Sequence, residues 1–582
     1  MPDRIPSTVS KWNTKVIFTA SVLAFAAYYF LDHKGEQTLP DTYALCSRDK
    51  KIYTVDEDNQ AVECIIINGS SIVYSGDLET ATVKFSSRNG NAGLAVRYIP
   101  DGSIAIPGIS DSHCHILEYG ASRQIPLSEG RTLKETILII REYIQSNPDL
   151  EGNKSRIVEG WGWDHASWDV EKMPTWEDLE ADAVVAGRRV ILQSRDGHAI
   201  WVSQRTLLEN GPYPDVTPGG VIIRDEEGNP TGVFMDSAQD LITRAPLTDE
   251  EMEQRFQRTV KEALAVGLTS LHDAGLQPDS LAFFKRQAER RRLPIRIYGM
   301  TYFDEEGPYW GDKNEAFMSP TKDRLSSRSV KIFADGALRS GLYEPYADNP
   351  STRGVMRISA ELLNTVIPRF LRMAGKLYNV HAIGDRANAI VLDAFELALK
   401  GVNVTSSRPR LEHAQIMKKE DMRRLGELGV IASIQPTHAI SDMWFAQDRL
   451  GPERVKGLYA FRDIIDSGAR ITLGSDFPVD EINPLKGFYA AITRLSVDGT
   501  SPHGDGGWFP NQRLSRMEAL RGMTIDPAYA SFTEDILGSL TPGKRADYVI
   551  LSSDITTIPP ENVLQTKVLA TAIDGKIVFG AL

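Results

Sequence analysis

Cysteine is scarce in this chain: Cys46, Cys64 and Cys114 are the three in 582 residues. So few exclude a disulfide-stapled scaffold, and their spacing excludes a Cys-x-x-Cys zinc site. Cys46 and Cys64 read as unbridged, with one bridge between them as the alternative. No run of Lys or Arg is long enough to follow a phosphate backbone, and the net charge is −13. Nucleic acid is thereby excluded as a partner. There is no internal repeat. Histidine is also rare, 10 in all, so any clustering of it carries information. What remains is an ordinary globular composition, 42% hydrophobic and 25% charged, on a chain long enough for a large core and more than one domain.

A long apolar run is nearly missing as well. "KVIFTASVLAFAAYYFL", Lys15 to Leu31, falls a little short of the roughly 20 residues that span a bilayer, and is long for a signal-peptide core. Arg4, Lys11 and Lys15 precede it, and no small-residue cleavage site follows. The balance favours an uncleaved signal anchor over a cleaved signal peptide. The expectation is a single-pass membrane-anchored protein with its main body luminal or extracellular, or a secreted one, ahead of a cytoplasmic one.

The remaining text divides by its periodicities. Residues 37–106 alternate short β-rich runs with turns ("KIYTVDE", "VECIIING", "SSIVYSGD"), and no long helical period appears there. Residues 536–582 resume the style with "ADYVILSSD" and "VLATAIDGKIVFG". Two such ends predict one small β-sandwich completed by both termini. Between them, 107–535 alternates strand and helix: the strand into "DSHCH", then "GLTSLHDAG", "PIRIYGMTYF", "SVKIFADG", "LYNVHAIG", "RPRLEHAQ", "GVIASIQP" and "ARITLGSDFP". Eight strands alternating with helices predict an α/β fold, a (β/α)8 TIM barrel. The rhythm breaks over about 120–250, rich in Trp and Gly and holding a hairpin-like "GGVIIRDEEGNPTGVFMD". It reads as an insertion after strand 1, packed over the barrel mouth.

Chemistry-bearing residues gather at the strand ends. His113 and His115 stand one residue apart after the first strand, where an extended chain turns both to one face. His272 ends strand 2, Lys331 lies within strand 4, and His381 and His413 end strands 5 and 6. His438 follows strand 7 and Asp476 ends strand 8. Lys331 to His381 is 50 residues and His381 to His413 is 32, one strand–helix unit each. A lone histidine at a strand end is more often a packed residue than a ligand. Scattered histidines do not, however, choose one end of a barrel repeatedly. Imidazoles with a carboxylate suit zinc and its neighbours.

The segments "PGISDSHCH", "KIFADGALRSG", "VHAIGDRA", "RLEHAQ", "IQPTHAISDMWFAQDRLGPER" and "LGSDFPV" resemble the amidohydrolase superfamily, in its YtcJ-like (amidohydrolase family 3) branch. So do "GWGWDHASW" and "SRDGHAIWVS" of the insertion. The resemblance implies two zinc ions held by His113, His115, His381, His413 and Asp476, with Lys331 carboxylated on its amine as a bridging ligand. An unmodified Lys331 paired with an acid such as Asp335 over one metal, or another divalent metal, stays open. It further implies hydrolysis of an amide or related C–N bond of a small molecule, of the N-acyl or N-formyl amine class.

In that reaction Asp476 is expected to take the proton of the attacking water and return it to the departing nitrogen. His438 and His272 are expected to orient the carbonyl or stabilise its oxyanion. His198 is expected to contact substrate from the insertion, and Trp163 and Trp201, with Trp161 and Trp168, to wall a pocket. Strand alternation turns Cys114 away from the metals. The same site would serve an esterase, lactonase or phosphotriesterase, and a non-catalytic binding member of the fold is the alternative outside enzymes. Every expected ligand position is filled, which favours the enzyme. A homo-oligomer stays open.

Overall fold

The structure, a computed structural model, describes residues 39–89, 93–170, 172–305, 307–311, 317–319, 324–336, 341–372 and 377–582. Eight strands follow one another around a barrel: β1 (Ile109–Cys114), β2 (Leu268–Leu276), β3 (Arg296–Tyr302), β4 (Leu325–Phe333), β5 (Leu377–Ala382), β6 (Arg410–His413), β7 (Ile431–Ile434) and β8 (Ile471–Leu473). Each is hydrogen-bonded in parallel to the next. They correspond to the eight expected from the sequence. Buried on both faces, they carry apolar residues without strict alternation, as parallel strands under helices do. The covering helices show the matching period. Asp249–Ala265 opens with a capping box of Thr248 and Glu251 and buries Met252, Phe256, Val260, Ala263 and Leu264 along one stripe.

The last gap closes through the backbone. Asp476 donates its N–H to the His113 carbonyl (2.7 Å), and His115 donates to the Phe477 carbonyl (2.9 Å). The Asp111 carboxylate staples the same seam, accepting the Ser475 hydroxyl (2.6 Å) and N–H (3.1 Å). Only glycine fits at 474, because a Cβ there would lie 2.6 Å from the His113 nitrogen.

Both chain ends build the sandwich. One sheet orders Ser71–Gly76, Cys64–Asn68, Thr42–Cys46 and Ala95–Tyr98; the other orders Lys576–Gly580, Val568–Ile573, Tyr548–Leu551, Ile104–Pro107, Ile52–Tyr53 and Ala61–Val62. The period of two sorts their side chains. Ala105, Tyr548 and Ile550 pack with Tyr43, Leu45, Ile65 and Ile67 of the facing sheet. Ile104, Ile106, Val549 and Leu551 turn the other way, into the barrel's core.

Arg296, at the start of β3 and 3% exposed, fastens this layer to the barrel floor. Its Nε lies 2.6 Å from Asp547, and its Nη2 lies 2.5 Å from Asp574. The insertion is a five-stranded sheet, in the order Gly220–Arg224, Pro230–Asp236, Ala199–Val202, Arg189–Ser194 and Ile157–Trp163. Its first two strands are the expected hairpin.

Three expectations change. Cys46 and Cys64 are disulfide-bonded, because antiparallel pairing sets them directly opposite each other with Cα atoms 4.1 Å apart. Residues Leu78–Asn89 form a helix where only strands were expected. Its start is set by Asp77, which accepts the Thr80 N–H at 2.7 Å, rather than by an apolar stripe. Among the described residues no helix is long and apolar enough to cross a membrane. The expected membrane segment, Lys15–Leu31, lies outside them and spans 17 residues, short of the roughly 20 needed. The single-pass anchor, the membrane as partner and the membrane localisation are corrected accordingly.

Replacing Arg296 with alanine leaves Asp547 buried without its cation, a loss of about 3–5 kcal/mol. The measurement is urea unfolding of R296A beside the parent protein. An unchanged midpoint would remove this pair from the forces that hold sandwich to barrel.

Candidate metal centre

The strand ends bring the expected residues to one mouth. His113 is the penultimate residue of β1, and His115 precedes the helix Ile116–Ser122. Lys331 lies in β4, His381 is the penultimate residue of β5, and His413 is the last residue of β6. His438 sits in the short helix Pro436–Asp442 after β7. Asp476, past the end of β8, is the hub. One of its oxygens lies 3.1 Å from His115 Nε2 and 3.5 Å from His113 Nε2; the other lies 3.8 Å from His438 Nε2. The ligand atoms of His113, His115 and Asp476 fall within 4.8 Å of one another, and so do those of His413, His438 and Asp476. The His413 ring stands 4.7 Å from that of His113 and 4.3 Å from that of His381. Lys331 Nζ is 3.4 Å from His113 Nε2. His413 (φ +72°) and Asp476 (φ +60°) both hold left-handed backbone, a strain that gathers at functional sites.

Burial sets the protonation states. It pushes the His381 and His413 imidazoles well below their ordinary pKa, and it draws the Lys331 ammonium down to about 8. At Asp476 burial opposes the charge, but His113, His115 and His438 outweigh it and keep the carboxyl ionised. At His115 burial likewise opposes protonation, and the neighbouring Asp476 carboxylate outweighs it and raises its pKa.

Beneath the mouth lies a network that the sequence reading did not single out. Glu412, fully buried, receives the His113 Nδ1–H at 2.6 Å, the Asn379 amide at 3.0 Å and Arg410 Nη2 at 3.2 Å. Burial opposes its charge, but Arg410 and then His113 hold its carboxyl well below the usual range. With Nδ1 protonated toward Glu412, His113 presents Nε2 to the site. The signal was in "RLEH": a four-residue buried strand that carries an arginine and a glutamate two apart.

Several expected residues sit elsewhere. His272 does not end its strand: β2 continues to Leu276, and the fully buried ring lies 3.3 Å from Arg410. Trp163 and Trp201 are 1% and 0% exposed, in the insertion's own core. Their indole N–H groups donate to the Leu192 and Thr175 carbonyls. The pocket-wall expectation for this pair is corrected, since neither offers surface to a ligand; Trp161 is the partly exposed member. Asp335 accepts the N–H groups of Ile383 and Gly384 (3.0 and 2.8 Å), a backbone role in place of the suggested pairing with Lys331. Cys114 is buried, its Sγ toward the His272 carbonyl. His198 does reach the mouth from the insertion, 2.9 Å from Asp236 and with its ring 6.4 Å from that of His381.

This donor set fits a divalent cation. His381 Nδ1, His413 Nδ1 and Asp476 Oδ1 are buried with no aligned hydrogen-bond partner among the described residues, an arrangement that costs energy unless something else satisfies them. Changing Glu412 to glutamine is expected to weaken zinc binding about 10–100-fold, read by competition with a chromophoric chelator. Unchanged affinity would detach Glu412 from the centre.

Comparison with known proteins places this geometry. The model of the amidohydrolase family matches residues 101–579. Putative amidohydrolase YtcJ of Bacillus subtilis is 30% identical over 547 residues, covering 91% of this chain and 98% of that protein. The N-substituted formamide deformylase of Arthrobacter pascens is 26% identical, covering 90% and 96%. An uncharacterized metal-dependent hydrolase from Pyrococcus horikoshii superposes with a TM-score of 0.70 at 26% identity, covering 89% of this chain and 99% of that one. The family match starts ahead of the first histidine pair and ends in the sandwich's last strand, spanning barrel and sandwich alike: the chain belongs to the amidohydrolase family.

Proposed function

We propose that the protein hydrolyses an amide or related C–N bond of a small molecule, of the N-acyl or N-formyl amine class. The observation that carries this reading is the convergence of His113, His115 and His438 on one ionised carboxylate, Asp476, beside the Nδ1 atoms of His381 and His413, which have no aligned partner among the described residues. Similarity to an N-substituted formamide deformylase across nearly the whole chain supports the bond class.

His113, His115, Lys331, His381, His413 and Asp476 would hold two zinc ions, with Lys331 as a carbamate. The lowered pKa of Lys331 favours this, since the neutral amine is the form that adds carbon dioxide. Zinc bound there supplies a Lewis acid for the substrate carbonyl and a water acidic enough to ionise near neutral pH. The rest is the work of the side chains. A carboxylate oxygen of Asp476 accepts the proton of the attacking water and passes it to the departing nitrogen, which would otherwise leave as a poor anion. His438, whose Nε2 faces Asp476, donates to the carbonyl oxygen as negative charge develops. His198 meets the substrate from the insertion, its ring held by Asp236. His272 supports from below, through Arg410 and the network under His113.

Elemental analysis of the purified protein is expected to return about two zinc equivalents. Asp476→Asn is expected to lower hydrolysis of N-formyl and N-acyl amines at least ~100-fold. One equivalent would indicate a mononuclear site with unmodified Lys331. A preference for lactones or phosphotriesters would replace the bond class. No metal, and no turnover after zinc addition, would turn the reading toward a binding protein.

A further inference from the structure

The segment 194–198, Ser-Arg-Asp-Gly-His, crosses the mouth from the insertion and is fixed on both rims. On the β8 side, Arg195 Nε donates to the Val479 carbonyl at 2.8 Å, and its Nη2 lies 3.3 Å from Asp480 Oδ1. On the β4–β5 side, His198 stands over Gly336, where a Cβ would come within 3.4 Å of its Nδ1. Asp196 stiffens the crossing by accepting the Ser194 hydroxyl (2.5 Å) and the His198 N–H (3.0 Å).

Asp480 has a second oxygen. Oδ2 is buried, makes no aligned hydrogen bond among the described residues, and lies 3.5 Å from His438 Nε2. The other face of that ring is set by Gln415, whose amide nitrogen is 3.4 Å from His438 Nδ1. An amide N–H toward Nδ1 makes that nitrogen the acceptor, so the ring proton sits on Nε2 and points between Asp480 and Asp476. Stacking on His413 (6.0 Å, 14° between planes) limits the remaining tilt.

The geometry points to Asp480 as a positioning residue that fixes the aim of the His438 Nε2–H, with Arg195 of the insertion holding Asp480 in place. Arg195, Asp480 and His438 thus form one line from the insertion to the reacting end of the barrel. Docking of the insertion becomes a condition for an aligned His438, beyond forming a roof over the site. This inference rests on the hydrolase reading above for its catalytic consequence, though not for its geometry.

The test compares Asp480→Ala, Asp480→Glu, Arg195→Ala and the Arg195/Asp480 double variant, each also in a His438→Ala background. Zinc content and melting temperature are measured on every protein. D480A is expected to lower kcat about 10–100-fold with KM, zinc content and melting temperature near the parent's. D480E is expected to recover part of the loss. R195A should fall in the same direction, and the double variant should be no worse than D480A, as residues acting through one line are not additive. In the His438→Ala background D480A should have no further effect. A second readout needs no turnover. In 15N-histidine spectra of the zinc-loaded protein, the Nε2–H proton signal lost in His438→Ala should shift upfield in D480A, because it loses the carboxylate it faces while Gln415 keeps the proton on Nε2. An unmoved signal, an equal fall in kcat without His438, or loss of zinc in D480A would each overturn the proposal. If the parent protein hydrolyses nothing on the panel, the hydrolase reading fails and the Nε2–H signal alone decides the positioning role.

Discussion

One backbone hydrogen bond, from the N–H of Asp476 to the carbonyl of His113, joins the first and last strands of the barrel and sets the two halves of the site against each other. Everything else at the mouth depends on that seam. The histidine pair stands at one end of the barrel's sequence and the hub carboxylate at the other, so neither half has a partner until the ring is shut. Asp111 and Ser475 reinforce the joint, and Gly474 makes it close enough by having no side chain to hold the strands apart. The same contact that completes the fold therefore also sets the distance between His115 and Asp476.

Below the seam the barrel holds charge where apolar packing would be cheaper. Arg410 and Glu412 are 1% and 0% exposed, and each is tolerable only because the other is there, with His113, Asn379 and the Ser112 carbonyl taking the remaining bonds. Left-handed backbone at His413 and Asp476 adds a further cost, on the order of 1–3 kcal/mol each. Such a site persists because the surrounding structure over-determines it. The apolar barrel core, the floor ion pairs of Arg296 and the sandwich below supply that support far from any chemistry.

The barrel was legible because its strands announce themselves twice, as short apolar runs and as places where a histidine, lysine or aspartate ends the run. Convergence of His113, His115, His381, His413 and Asp476 follows from strand order alone. Glu412 was less visible, since it adjoins a histidine that draws the attention, and its partner His113 is 299 residues away. The helix Leu78–Asn89 carries only a sparse apolar stripe, Leu78, Ala81 and Phe85, too short to betray it. The tryptophans misled for the opposite reason: large aromatic side chains suit a pocket wall and a small sheet's core equally, and only the fold assigns Trp163 and Trp201 to the core. The disulfide between Cys46 and Cys64 needed the strand register, which two isolated cysteines do not reveal.

The strand Ile104–Pro107 lies in its sheet between Ile52–Tyr53, made shortly before it, and Tyr548–Leu551, made roughly 440 residues later. During synthesis, at about 5–20 residues per second, that edge stays open for about 20–90 s. For most of that interval β1 waits for β8, with the histidine pair and its apolar neighbours uncovered. The nascent chain is thus a long-lived species with unpaired strand edges, and the barrel can close only after β8 has been made. A protein built this way depends on whatever shields its amino-terminal half in the meantime, and a stall ahead of Asp476 would leave most of the barrel made and its histidines without their hub.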